Sequence, residues 1–255
     1  MRKLRRLLIR QKRLTRLGRR VVGISAVMLA ICVCFFIIGT GTSSKKSNEV
    51  EAMNRFLEEE EETEERPCVC IDAGHGGSDC GAEYAGNYEK DQVLEIAKLV
   101  QRHLESAGIK VIMTRSADEY IGLDERVEIC NNASCDALIS IHRNFYEGDT
   151  SVRGVETWIQ SSKPQDSYLL ADYIMEELSD VSGVKNRGIK TGSMTDAEED
   201  YRLNGNSNCA SCLLELGFMT NSIDTELVTV NREESAKAIA DGIVKYLRSQ
   251  QNSGK

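Results

Sequence analysis

Histidine is scarce in this chain, with three in 255 residues, and the first twenty residues contain no acid. Cysteine does not come in even number after Pro67: seven follow it, and Cys209-x-x-Cys212 has no close second Cys-x-x-Cys pair. No internal repeat is present. Each shortage excludes something. An odd thiol count does not describe a disulfide framework. Without the second pair of a zinc ribbon, a metal site joining Cys209 and Cys212 to Cys68 and Cys70 ranks below simple core packing of small thiols. The acid-free start leaves ten Lys/Arg unopposed and puts all 40 acidic residues later, so the net charge of −8 hides two opposed halves. That asymmetry points to compartments rather than to nucleic acid.

Charge is also missing from residues 21–39 (VVGISAVMLAICVCFFIIG). This run is long enough to cross a bilayer core of roughly 30 Å as a helix. The basic block lies on its amino side, against Lys45 and Lys46 after it, so the positive-inside rule keeps the amino terminus in the cytoplasm. A cleaved signal peptide is the competing reading, but its apolar core is usually about 7–15 residues long and ends in an Ala-x-Ala-like site. The expected organisation is a basic cytoplasmic tail (1–20), a transmembrane signal anchor (21–40), an acidic extracytoplasmic stalk (41–66) and one domain (67–250). The protein is then a single-pass membrane protein with that domain outside.

The domain is organised around residues 68–77 (CVCIDAGHGG), an apolar run that breaks into a glycine-rich turn with His75 at its tip. Apolar residues at helical spacing predict a helix over about 89–107, and residues 109–114 (IKVIMT) predict a strand. A short helix follows around Leu123, Val127 and Cys130, then a buried strand over 137–142 (ALISIH). Residues 154–160 (GVETWIQ) alternate like a strand with one half-exposed face. Helices over 169–178 and 236–247 enclose an apolar strand at 212–216 (CLLEL). Such alternation predicts an α/β three-layer sandwich with a largely parallel or mixed central sheet flanked by helices, here preceded by one transmembrane helix. Parallel strands would bring His75, His142 and Glu215 to one sheet edge, where open α/β sheets hold their ligands.

A lone histidine closing an apolar strand is most often structural; two at corresponding ends make a metal pair. Catalytic zinc takes three protein ligands, His₂Glu among the standard sets, and keeps one position for water. Glu89 is well placed as the third, at the start of a helix, although acids are favoured there by the helix dipole alone. Glu83 and Glu95 compete for the role on spacing. His103, at the far end of that helix, is a surface or packing residue. Glu215, flanked by Leu214 and Leu216, is expected to be buried and to need a partner such as Arg126 or water held at a metal. A proton-transfer role and a structural ion pair are equally weighted for it.

In this order, IDAGHGGSDCGA (71–82), Glu-Lys-Asp (89–91), VIMTR (111–115), Arg126, Asn131, SIHRN (140–144), GVETW (154–158), NRGIK (186–190) and LLELGFMTN (213–221) together resemble the zinc-dependent N-acetylmuramoyl-L-alanine amidases of the family-3 type. The resemblance implies one Zn²⁺ on His75, Glu89 and His142, with Glu215 as the catalytic carboxylate. The reaction it implies is cleavage of the amide between the lactyl group of N-acetylmuramic acid and L-alanine in bacterial peptidoglycan. Asn144 and Arg143 are candidates for substrate binding. Arg143 stands where the family has a small residue, and would steer the anionic stem peptide or point to solvent. Ala73 replaces a usual proline, and residues 191–208 are too short for the helix by which some relatives block their own zinc. Peptidoglycan is the expected partner, any protein activator is unidentified, and a monomer is expected. The rivals are a zinc peptidase acting on wall peptides, a non-catalytic peptidoglycan-binding module, and a cysteine-based redox or metal protein.

Overall fold

In the computed structural model, which describes residues 66–252, the CVCIDA run forms β1 (Cys68–Ala73), buried along its whole length. A small hairpin follows, β2 (Glu83–Tyr84) and β3 (Asn87–Tyr88), and leads directly into α1 (Glu89–Ser106). The remaining elements are β4 (Lys110–Met113), α2 (Leu123–Asn132), β5 (Ala137–Asn144), β6 (Val155–Ile159), α3 (Gln165–Ser179), β7 (Asn186–Thr191), α4 (Arg202–Asn206), β8 (Ala210–Phe218), α5 (Ser222–Glu226) and α6 (Arg232–Asn252).

Six strands make one mixed sheet in the order β4-β1-β5-β8-β6-β7. The first four run parallel, β6 is antiparallel to β8, and β7 is parallel to β6. Alternation along β1 decides the layers, because successive side chains of a strand leave on opposite faces. Val69, Ile71 and Ala73 join the larger core under α1, α3 and α6, where Val93, Ile174 and Ile239 are buried. Cys68 and Cys70 face the other way, into a smaller core with Val127 of α2 and Leu203 of α4. The three layers expected from the alternating pattern are therefore present.

One expectation needs correction, one motif gains an element, and the ranking of the cysteines holds. Residues of β6 show no half-exposed face: Glu156 and Thr157 are as buried as Val155, because β6 is sandwiched between β8 and β7 and covered on both sides. Residues 186–190, quoted as a motif, form β7. Cys209 and Cys212 do not act together, since Cys209 packs against the smaller core and Cys212 lies in the larger one. The tail, anchor and stalk fall outside the described residues. Among the described residues no helix is long and apolar enough to cross a membrane.

A buried ion pair anchors the sheet beneath the histidine turn. Asp72 accepts from Arg126 Nη1 at 2.8 Å, Thr114 Oγ1 at 2.6 Å and Ser140 Oγ at 2.6 Å. Burial alone would raise its pKa, but Arg126 and the two hydroxyls hold it below the usual carboxylate range. Removing one partner of such a pair leaves an unbalanced charge in the core. Arg126→Ala is expected to lower unfolding stability by about 3–5 kcal/mol, read by denaturant melts, whereas an exposed arginine such as Arg102 changes it by less than about 0.5 kcal/mol.

Candidate active site

Parallel pairing of β1, β5 and β8 brings their carboxyl ends together. His75 follows β1, His142 and Glu215 lie opposite each other in the β5–β8 register, and Glu89 opens α1 beside them. These residues line a cleft of about 550 Å³, together with Tyr201 and Met194 from the segment before β8.

The histidine turn is strained and pinned. His75 sits at φ +58°, a left-handed conformation that a residue with a Cβ adopts only when its surroundings impose it. Two buried guanidiniums impose it. Arg126 donates to the carbonyls of Ala73 at 2.7 Å and His75 at 2.6 Å. Arg115 donates to the carbonyls of Ala73 at 2.9 Å and Gly74 at 2.8 Å. Gly81 fits by the same logic: its φ is +63°, and a Cβ there would stand 2.7 Å from both Glu89 Oε2 and the His75 ring.

Glu89 is the hub. Its Oε1 lies 3.2 Å from His75 Nε2, 3.0 Å from His142 Nδ1 and 2.9 Å from the backbone nitrogen of Arg143. Its Oε2 accepts from the Ala82 amide at 3.0 Å, and the Glu89 amide donates back to the Ala82 carbonyl at 2.9 Å. Burial would raise its pKa, yet the two imidazoles hold it well below the usual carboxylate range. Conversely, burial opposes a charge on His75, but Glu89 and then Asp79 outweigh it and push the pKa up to about 9. His142 is raised for the same reason.

Donor atoms of His75, Glu89 and His142 all lie within 4.8 Å of one another, which among the described residues is the one such group that would hold a metal ion. The chemistry of the set fits zinc: two imidazole nitrogens and one carboxylate. The far nitrogen of His75, Nδ1, is 2.9 Å from Asp79 Oδ2, an outer partner that fixes the ring and its tautomer when Nε2 ligates. Glu83 and Glu95 are set apart by geometry, for both are exposed and Glu95 pairs with Arg232 at 2.9 Å. His103 lies at the other end of α1, 3.5 Å from Glu233.

Glu215 is 7% exposed, and its Oε2 has no hydrogen-bond partner among the described residues. Of the two partners expected from the sequence, Arg126 is excluded, because that guanidinium is consumed by Asp72 and the histidine turn. Burial pushes the Glu215 pKa up to about 7, with His142 pulling down and Glu89 and Glu156 adding to the rise. A carboxyl poised near neutrality beside a metal-type donor set is what proton transfer requires.

Of the two alternatives for Arg143, the structure removes the outward one: the residue lines the cleft and does not point to solvent. It is 3% exposed, and its guanidinium donates to the carbonyls of Gly217 at 3.2 Å and Asp224 at 3.4 Å and to Gln92 Oε1 at 2.6 Å. Asn144 lines the cleft, but both ends of its amide are engaged, with Glu156 Oε1 at 3.2 Å and the Phe145 amide at 2.8 Å. Sequence reasoning missed Glu156, which lies directly across from Glu215 in the β6–β8 register. Arg187 Nε and Lys190 Nζ each lie 2.6 Å from its Oε2, and Trp158 Nε1 donates to its Oε1 at 3.2 Å. The only signal was an acid inside an apolar strand with two bases about thirty residues on. Asp79 was likewise legible only as an acid four residues after His75.

Fold and site together define an α/β domain with a mixed sheet that carries a His-Glu-His donor set and a buried acid at one sheet edge. The chain belongs to the N-acetylmuramoyl-L-alanine amidase family, whose profile matches residues 69–245. It is similar to the N-acetylmuramoyl-L-alanine amidase LytC of Bacillus subtilis, 34% identical over 183 residues, which are 71% of this chain and 35% of LytC. Among solved structures it is similar to the amidase AmiC2 of Nostoc punctiforme, with TM-score 0.65, 33% identity, and coverage of 71% of this chain and 97% of that one. A further match is the CwlD amidase of Clostridioides difficile, solved in complex with the GerS lipoprotein, with TM-score 0.65, 32% identity, and coverage of 72% of this chain and all of that one. The chain is thus a cell-wall amidase of this family.

Proposed function

We propose that this enzyme hydrolyses the amide between the lactyl group of N-acetylmuramic acid and L-alanine of the peptidoglycan stem, with one Zn²⁺ on His75, Glu89 and His142 and with Glu215 as the proton-transfer group. The observation that carries the reading is Glu215, a buried carboxyl whose Oε2 has no hydrogen-bond partner among the described residues, facing His142 across the β5–β8 ladder. Zinc, when bound, would polarise the scissile carbonyl and acidify water. The chain's own residues do the rest. Glu215, as carboxylate, accepts the proton of the attacking water and returns it to the departing alanine nitrogen. The Asp79 contact orients His75, and the Ala82 and Arg143 amides orient Glu89. Low exposure of Glu215 keeps bulk water from supplying or quenching that proton.

Residues 1–66 would place the domain. The basic block and the apolar run of residues 21–39 support a single-pass anchor with the catalytic domain outside the cytoplasm, facing its polymeric substrate. No activator is assigned, although one similar amidase was solved with a lipoprotein bound. A monomer suffices, because every site residue comes from one chain.

The reading is tested by digesting purified peptidoglycan with the full chain and weighing the products. Intact stem peptides with L-alanine at a new amino terminus are expected. Cuts within the stem would instead make it a peptidase, and binding without new amino groups would make it a wall-binding module.

A further inference from the structure

The smaller core is built largely from sulfur. Cys68, Cys70, Cys130 and Cys135 are buried in it, and Cys209 packs against it. These thiols gather at the amino ends of β1, β5 and β8, the sheet edge opposite the cleft, and the hydrolytic site uses none of them. We propose that Cys68 and Cys135 are an oxidisable pair whose disulfide the folded protein accommodates.

Their Sγ atoms are 3.2 Å apart. The two backbones are held side by side at this point: Val69 is in parallel register with Ala137, the Asp136 amide donates to the Cys68 carbonyl at 2.6 Å, and the Cys68 amide donates to Asp136 Oδ2 at 3.0 Å. Cys135 stands one residue before the position opposite Cys68, so strand spacing of about 4.8 Å and a rise of about 3.3 Å put the Cα atoms roughly 6 Å apart, inside the roughly 4.4–6.8 Å window that a disulfide accepts. The sulfurs then need to close by about 1.1 Å to reach a bond of about 2.05 Å, a small side-chain rotation. Cys130 and Cys209 stand at 3.7 Å, and Cys70 and Cys130 also touch Cys135, but of the four thiols buried in this core Cys68 and Cys135 keep the most exposure, at 7% and 8%.

The surroundings favour the bond over a metal. Among the described residues three donors converge tightly only at His75, Glu89 and His142. Burial and the hydrogen bond to Cys135 push the Cys68 thiol up to about 12, and the contact with Cys130 leads in pushing Cys135 up to about 11. Thiolate ligands would be charged in that apolar place, whereas a disulfide is not. The same protonation makes the finished reduced fold slow to react, so the bond forms while the chain is partly open. In the exchange the two cysteines give up two protons and two electrons, and an external disulfide such as oxidised glutathione is reduced to two thiols. Such bonds persist in oxidising extracytoplasmic space, where the sequence places this domain. The closed loop would contain His75 and Glu89, so it fixes the segment that carries two of the three metal-type donors.

The test equilibrates the full chain in detergent with a glutathione redox buffer at mildly alkaline pH. Equilibrium is approached from the reduced native protein and from protein unfolded and refolded in the buffer. Blocking with a maleimide should find two fewer free thiols, and trypsin should leave the peptide ending at Lys90 joined to Val127–Arg143. Those peptides hold other cysteines, so Cys68→Ser and Cys135→Ser must each abolish the link and Cys130→Ser must preserve it. The oxidised protein should melt on the order of 10 °C above the reduced one, a gap that closes in Cys68→Ser. No link from either direction, a link that survives Cys68→Ser, or a metal ion released on blocking these thiols would each overturn the assignment.

Discussion

Glu215→Gln is expected to lose about 10²–10⁴-fold in turnover, the usual worth of a positioned proton-transfer group, while binding zinc as wild type does. The variant keeps shape and burial and removes only the ability to ionise. Turnover on peptidoglycan and metal content, measured on the same preparations, separate this from a folding defect. Near wild-type turnover would remove Glu215 from the mechanism. The acid limb of kcat/KM should lie above the ordinary carboxylate range and at or below about 7, since burial raises the group and a bound cation lowers it. A stability effect of opposite sign accompanies this. In the metal-free protein the raised pKa means that the folded state holds the Glu215 proton more tightly than the unfolded chain. The group therefore costs nothing below about 4.5 and progressively destabilises the fold as pH rises towards about 7. Metal-free Glu215→Gln should be more stable to denaturant than metal-free wild type above neutrality, by on the order of 3 kcal/mol.

Glu89→Ala is expected to abolish zinc binding and turnover together, a larger loss than that of Asp79, the outer partner of His75, because Glu89 contacts both imidazoles and two backbone amides. Exhaustive chelation of wild type should reproduce the inactive state, and added zinc should restore it. Proton linkage gives a sharper signature. Metal binding needs neutral imidazoles, and Glu89 holds His75 protonated up to about 9 in the metal-free protein. Apparent zinc affinity should therefore weaken steadily as pH falls below about 9, read by competition with a chromophoric chelator. Affinity that stays flat with pH would mean that His75 is not a ligand.

What the sequence showed, and what it hid, follows from the range of the interactions. His75 and His142 close apolar strands, and Glu89 opens a helix, so local periodicity located all three and the parallel reading put them on one edge. Glu89 could be separated from Glu83 and Glu95 only by the family resemblance, and in three dimensions by exposure. The partner of Arg126 was misplaced because any buried acid near a strand end competes for it. Asp72 prevails because Thr114 and Ser140 complete its shell. For Arg143 the sequence left steering and solvent exposure both open and did not foresee burial, since arginine seldom lies in a core. Here two carbonyls and Gln92, distant in sequence, satisfy it. Glu156 made β6 look half exposed for the same reason: its cations arrive from β7, on the neighbouring strand. Pairing across elements is set by tertiary packing, which a single sequence does not display.

The ordering of the sheet has a kinetic corollary. His75, His142 and Glu215 meet only when β1, β5 and β8 have found one another in parallel register, and no hairpin can do this locally. Contacts of such long sequence separation form late and slowly. Nascent or partly folded chains, including any that end before β8, therefore carry no proton-transfer group at the cleft. The capacity to cut polymer is withheld until the last central strand is in place, so assembly of the fold itself acts as the safeguard during synthesis.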